Sequence, residues 1–423
     1  MNRKSASQIY IFMSFMMALG NSIMFTTSGI YHVSTLGLNP FELVLMGTVL
    51  ELTVLIFEGI TGVVADTYSR KISVIIGMFI LGAGFAVEGS ILWLHGLVSV
   101  ISVFAWVVIS QLLFGIGWTF VSGANTAWMV DEAGEEHAGA ILMKSQRMSL
   151  IATLLGIACS VGLSAAAPNL TFLTGGILYA ALGIALFFWM KETGFVRKGH
   201  ASHESHFRRM LGTWLDGAGV VRRQPLLLAM IAVTLLSGAA SEGYDRLWQS
   251  FLITGVGMPG LPVPIAVWFG VVSAAATLIG LIGVRLAEKK MDMGSRRAIS
   301  AAMFWFTLIR IAAILSLAFA TNFAWAILSV LVVSAARSVS EPVYDTWLNM
   351  NLESQTRATV LSMVSQSDAL GQTAGGPVVG WIGSRASVRA SILTAGVLLL
   401  PVLGVFGRIA RQKKGDQQRE TPS

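Results

Sequence analysis

The sequence predicts an all-α polytopic membrane protein, with twelve transmembrane helices in two pseudo-symmetric six-helix halves. Three observations predict it. Of 423 residues, 54% are hydrophobic and only 12% are charged, against roughly 25% charged in soluble domains. The apolar residues fall into long runs, each near the roughly 20 residues a helix needs to cross the hydrocarbon. The second half of the chain repeats landmarks of the first. Too little polar surface remains to cover a globule in water, so a soluble enzyme, a disordered chain and a nucleic-acid binder are excluded. The one cysteine, Cys159, excludes a disulfide framework and a cysteine-rich metal site.

The apolar runs lie near 8–31, 41–65, 72–94, 97–127, 147–167 and 171–190, then 226–253, 265–287, 298–320, 323–343, 358–384 and 388–410. Pro, Gly or charge separates them, as at Asn39-Pro40, His95-Gly96 and Pro168-Asn169; such residues punctuate periodic segments. No β-type alternation is sustained, and a helix satisfies its own backbone hydrogen bonds in lipid. Arg3 and Lys4 before an apolar run, with Ala18-Leu19-Gly20 downstream, resemble a signal peptide. The run continues past Gly20 and eleven more follow, so it reads as the first span.

Lys and Arg set the orientation. With a cytoplasmic N-terminus, all but four of the 29 fall on inside segments. Arg385 and Arg389 are outside, and Arg246 and Arg310 lie within spans. This positive-inside bias places both termini in the cytoplasm and accounts for the net charge of +7. The expected location is the cell inner (plasma) membrane, with the lipid bilayer as partner, no nucleic acid, and a monomer.

The longest break follows span six. It divides the chain into an N-terminal half (1–190), a central cytoplasmic loop (191–225), a C-terminal half (226–410) and a tail (411–423). The link between spans two and three reads Asp66-Thr67-Tyr68-Ser69-Arg70-Lys71. The link between spans eight and nine reads Asp292-Met293-Gly294-Ser295-Arg296-Arg297. Trp128 and Asp131 at the span 4–5 hinge are echoed by Asp345 and Trp347 at the 10–11 hinge, in reversed order. Paired halves of this kind point to a transporter with a site near the midplane.

The stretch from Gly62 through Asp66 to Arg70 and Lys71 resembles the G-x-x-x-D-x-x-x-R-[KR] signature of the major facilitator superfamily. Within that family the chain is most similar to bacterial drug-efflux proteins of the tetracycline and macrolide type. The resemblance implies the major facilitator fold and export by alternating access. Two stretches depart from the exporter pattern. Gln111 stands where R-x-x-x-G-x-G would place an arginine before Gly115 and Gly117. Span five has Gly156 and Gly162 with no proline between them, whereas Gly375-Gly376-Pro377 occurs in span eleven. Both put proton antiport in doubt and leave the fold untouched.

Gly62, Asp66, Arg70 and Lys71, with Asp292, Arg296 and Arg297, are expected to form conformational latches. A carboxylate there can pair with Arg or sit at a helix N-terminus. The competing reading is topology alone, which needs the cations and not an Asp at fixed spacing.

Ionisable residues inside spans cost roughly 2.5–3.5 kcal/mol each on insertion scales. Glu51, Glu58 and Glu88 have no Lys or Arg one turn away along their own helices. Together with Asp245 and Asp368 they are the candidates for proton coupling, Glu51 first. Glu58 has an alternative role supporting the loop at Asp66. Glu242 with Arg246, and Arg337 with Glu341, are i,i+4 pairs and read equally well as structural charges.

A pocket for amphipathic compounds needs aromatic walls and a few polar groups. Asn21, Phe25, Gln111, Trp118, Asn125, Glu242, Tyr244, Arg246, Trp248 and Arg310 are the candidates, Tyr244 and Trp248 foremost because each sits near a midspan charge. The 19 methionines suit an adaptable lining.

His200, His203 and His206 in the central loop have metal-ligand character, but their Ser, Glu and Arg neighbours read as a solvated linker. Phe207 to Arg223 has the composition of an interfacial amphipathic helix. No G-x-x-x-x-G-K-[ST] loop occurs, and no enzyme or cofactor is expected. The expected function is proton-coupled export of hydrophobic or amphipathic compounds. Two alternatives are proton-coupled uptake or exchange of a small metabolite, and a non-transporting membrane sensor of the same fold.

Overall fold

The structure is a computed structural model that describes residues 5–194, 225–260, 262–292, 295–350, 352 and 357–417. The described residues are helical with short links and no strand. The histidines at 200, 203 and 206, the segment 207–223 and the end of the tail lie outside them. The chain divides into two compact units. One holds Met1–Leu38, Val49–Arg209 and Pro262–Val271, and the other holds Asn39–Thr48, Met210–Leu261 and Val272–Ser423.

In the first unit, α1 (Ala6–Phe25) opens with a capping box. The Ser5 hydroxyl accepts from Gln8 N, and Ser5 N donates to the Gln8 side chain, which satisfies two helix-end donors at once. A π-helical turn, Ile30–Thr35, follows. Next come α2 (Pro40–Thr67), of which residues 40–48 belong to the second unit, α3 (Arg70–Leu97), α4 (Val103–Val121), α5 (Ala124–Ala133), α6 (Glu135–Ala166) and α7 (Leu170–Trp189). Met24, Tyr31, Met78, Phe85, Phe172 and Tyr179 are central to the buried core. α3 packs on α4 and α7, and α1 on α6 and α7.

The two glycines of the span-four motif are packing residues. A Cβ on Gly115 would lie 2.7 Å from Thr53 Cβ of α2, and one on Gly117 would lie 2.8 Å from Leu81 N of α3. They let α4 approach both neighbours closely, a use of small residues typical of membrane helices. That packing does not depend on residue 111, so the glycines serve it without the arginine.

The second unit contains α8 (Pro225–Ser250), the π-helical turn Phe251–Val256, most of α9 (Ile265–Lys290), α10 (Arg296–Phe319), α11 (Phe323–Met350), α12 (Arg357–Arg385), α13 (Val388–Leu398) and α14 (Leu400–Gln417). α8 packs on α12 and α10 on α11. Gly375 sits on α8, where a Cβ would come within 2.5 Å of Ala239 Cα. The glycines before Pro377 therefore have a packing reason of their own.

Eleven helices among the described residues are long and apolar enough to cross a membrane. The twelfth expected span, α12, has 29 residues and is long enough, but it is too polar to qualify. Ser362, Ser365, Gln366, Ser367, Asp368, Gln372 and Thr373 lower its hydropathy. The helix of the fifth expected span, α6, also starts earlier than its apolar run, at Glu135. The polar first turns are helical without being apolar.

The repeated links share one device. Ser69 and Ser295 are the N-caps of α3 and α10, and their hydroxyls accept from Ile72 N and Ala298 N. Ser at this position satisfies a free amide of the first turn. The Asp-x-x-Ser-Arg motif thus encodes a helix start in both halves. The hinge tryptophans match too: Trp128 and Trp347 are the two largest fully buried side chains.

Candidate functional site

A cavity of about 430 Å³ opens within the second unit, bordered by α8, α10, α11, α12 and the final helices. Helical spacing selects what faces it. Thr234, Ser237, Ser241 and Asp245 recur every three or four residues on α8, and Ser365, Asp368 and Gln372 do so on α12. Met303, Phe306, Thr307 and Arg310 supply the α10 wall. Side chains three and four apart share a helix face, so polarity spread along each sequence converges on one surface.

The wall is ionic. Arg337 Nη1 donates to both oxygens of Asp245, at 2.8 and 2.7 Å, and Arg337 Nε donates to Glu341 Oε1 at 2.8 Å. The fork of one guanidinium is thereby used on two carboxylates, a geometry particular to arginine. Gln372 Nε2 donates to Asp368 Oδ2 at 2.8 Å. Tyr344 and Thr234 hydroxyls lie 2.6 Å apart. Arg310 Nε is buried and has no hydrogen-bond partner among the described residues.

Of the residues named from sequence, Asp245, Arg310, Arg337, Glu341, Asp345 and Asp368 border this cavity. Glu242, Tyr244, Arg246 and Trp248 do not. Glu242, Tyr244 and Arg246 are each adjacent in sequence to Ser241 or Asp245 and point to other sides of α8, whereas Trp248 shares the face of Asp245 but lies one turn beyond the last α8 residue at the cavity. Tyr244 is buried and its hydroxyl has no hydrogen-bond partner among the described residues. Glu242 and Arg246 pair at 3.3 Å. The pair rests on Gly47, where a Cβ would fall 2.5 Å from Arg246 Nε. Sequence reasoning missed Tyr344 and Thr234. Their signal is the helical register shared with Glu341 and with Asp245.

The first latch is well defined. Arg70 pairs with Asp131 of α5 and donates to Ala127 O at 2.9 Å, while its Nη2 is 3.7 Å from Asp66 Oδ1. Glycines with positive φ, Gly123 (75°) and Gly134 (87°), flank α5 and turn the chain at both ends, a backbone region that favours glycine. Glu192 accepts from Lys71 N at 3.1 Å and from the Ser69 hydroxyl. Trp128 Nε1 donates to Lys191 O at 2.6 Å. Glu132 holds Thr193 and Gly194. Sequence alone named Asp66 as the partner of Arg70; Asp131, Glu132 and Glu192 complete the site. Gly62 has open space where a side chain would stand. In the second link, Asp292 is described, while the side chains of Arg296 and Arg297 lie outside the described residues.

Glu88 has no Lys or Arg one turn away on its own helix but has a partner from elsewhere. Its Oε1 is 2.8 Å from His32 Nε2, and the Ser110 hydroxyl donates to its other oxygen. Tyr31 OH donates to Glu88 O at 2.7 Å. All four residues are buried. His32 comes from the π-helical turn after α1, far from Glu88 in sequence. Glu51 and Glu58 are only partly buried in α2. Asn21 accepts from Tyr179 OH at 2.7 Å. Phe25 stacks on Phe114 with centroids 5.9 Å apart. Gln111 is buried, Trp118 is exposed, and the Asn125 carbonyl caps Thr126 N.

Comparison with known proteins gives a consistent result. The chain is 22% identical over 374 residues to the uncharacterized MFS-type transporter YxaM of Bacillus subtilis (strain 168), covering 88% of each protein. The crystal structure of the nucleoside transporter NupG matches with a TM-score of 0.73 at 13% identity, over 97% of this chain and 100% of that one. The inward-open xylose transporter XylE from E. coli matches with a TM-score of 0.69 at 12% identity, over 95% of each chain. At such identities the structural likeness concerns the fold alone. The model of the Major Facilitator Superfamily matches residues 10–308, and the chain belongs to that family.

Proposed function

We propose that this protein carries a small, charge-bearing polar solute across a membrane by alternating access, with its solute site in the cavity of the second unit. Transport of a small molecule is the coarse function of the family. The observation behind the finer reading is the ionic wall, where Asp245, Arg310, Arg337, Glu341 and Asp368 meet in about 430 Å³. Charges inside membrane spans are costly and mark solute or ion pathways. That lining suits a metabolite better than a large hydrophobic drug, so uptake or exchange of a small metabolite ranks ahead of drug export. Proton coupling belongs to the same proposal, with Asp368 and Glu88 as carriers. Both are carboxylates inside membrane-spanning helices, bonded to side chains that are not Lys or Arg. Cytoplasmic termini follow from the distribution of Lys and Arg.

The test is flux in proteoliposomes under an imposed pH gradient. Small polar solutes are screened beside ethidium, a tetracycline and a macrolide, with proton movement recorded. Movement of a polar solute together with protons supports the reading. Movement of the hydrophobic compounds alone returns the assignment to drug export.

A further inference from the structure

We propose that the solute is a small zwitterion, held by its carboxylate at Arg310 and by its ammonium group at Asp345 and Asp368. This rests on the second-unit cavity being the solute site, and it names the chemistry that site takes.

The argument is a balance of charges around one cavity. Arginine stays protonated in proteins and presents five donors. Arg337 has its fork engaged by Asp245 and Glu341. Arg310, one wall away, has no ion pair and no Nε partner among the described residues. A buried guanidinium in a spanning helix without an anion is expensive, and such residues mark binding sites. Its natural complement is a planar oxyanion. The same cavity carries Asp345 and Asp368, neither of which forms an ion pair among the described residues. A solute that is only an anion would satisfy Arg310 and face these carboxylates. A solute that is only a cation would satisfy them and leave Arg310 unpaired. A molecule with both charges meets both needs. The hydroxyls of Thr234, Tyr344 and Ser237, with Phe306 and Phe406 beside them, leave room for a polar or aromatic side group.

The experiment uses the purified full-length protein in detergent and matched probes of one skeleton. L-phenylalanine, phenethylamine and 3-phenylpropionate form one set, and L-leucine, isopentylamine and 4-methylpentanoate form another. Binding is read by thermal unfolding and by calorimetry. The zwitterion of at least one set is expected to bind about tenfold more tightly than either singly charged relative, the scale of one charge-assisted contact. Arg310→Gln is expected to abolish that preference for the zwitterion over the amine while amine binding persists. Arg310→Lys, which keeps the charge but not the fork, should fall between. Equal binding of the amine or the acid, failure of both zwitterions to bind, or uniform weakening of every probe by Arg310→Gln overturns the proposal. The same probes in proteoliposomes separate the two readings. If the protein moves neutral or singly charged solutes and binds no zwitterion, the solute class is wrong and transport stands. If it moves and binds nothing, both fall.

Discussion

Arg337 on α11 grips Asp245 on α8 with one nitrogen on both carboxylate oxygens, at 2.8 and 2.7 Å, across 92 residues of sequence. The side chains are about one-third to two-fifths exposed, so the contact is neither a dry ion pair nor a surface one. Removing one partner leaves the other charge facing the cavity. Arg337→Gln is expected to lower stability by about 1.5–3 kcal/mol, the range for hydrogen bonds to charged groups. The double change Asp245→Asn with Arg337→Gln should recover part of that loss. Denaturant unfolding of the four proteins as a double-mutant cycle measures it, and strict additivity would show that the pair is not coupled.

The latch ranks its own members. Arg70 bonds Asp131 directly, whereas Asp66 stands 3.7 Å away and is half-exposed. Asp131→Asn should therefore slow solute flux more than Asp66→Asn does. Initial rates at matched protein density decide this. A larger defect for Asp66→Asn would make the helix-end carboxylate the operative group instead.

Glu88 serves two partners at once. Glu88→Leu strands the His32 ring in a buried site, at about 1–3 kcal/mol for the unsatisfied group, while the Ser110 hydroxyl keeps Val107 O as its acceptor. Glu88→Gln keeps the hydrogen bonds and removes the exchangeable charge. If Glu88 carries the coupling proton, Glu88→Gln should fold and exchange solute down its gradient but fail to accumulate it against one. Counterflow and gradient-driven uptake, measured side by side, separate these outcomes.

Close helix approach at Gly117 makes a steric prediction. Valine there would place carbon within 3 Å of the α3 backbone at Leu81. Overpacking typically costs about 1–3 kcal/mol. Gly117→Val should lower the melting temperature of the detergent-solubilised protein. Gly62→Ala, which enters open space and improves helix propensity, should not; equal loss for both would show that close approach at Gly117 does not decide the effect.

What the sequence determined alone is the part governed by local rules. Span positions follow from runs of apolar residues and hydrocarbon thickness. The repeated Asp-x-x-Ser-Arg links are visible because each is contiguous, and their serines cap helices within three residues. The i,i+4 pairs Glu242–Arg246 and Arg337–Glu341 were readable for the same reason. α12 shows the limit of hydropathy, because its polar face looks toward a cavity rather than toward lipid.

Only the tertiary structure decided which polar residues meet. His32 and Glu88 come from different helices, as do Arg70 and Asp131, and Asp245 and Arg337. Rotation about the α8 axis put Asp245 at the cavity and turned Tyr244 away from it, while Trp248 lies one turn past the cavity's end. Composition treats adjacent residues alike, but on a helix they point about 100° apart. Partners brought together by packing carry no spacing in the chain. That is why Arg310 reads in sequence as one more buried charge, and in the fold as a guanidinium whose Nε has no partner among the described residues.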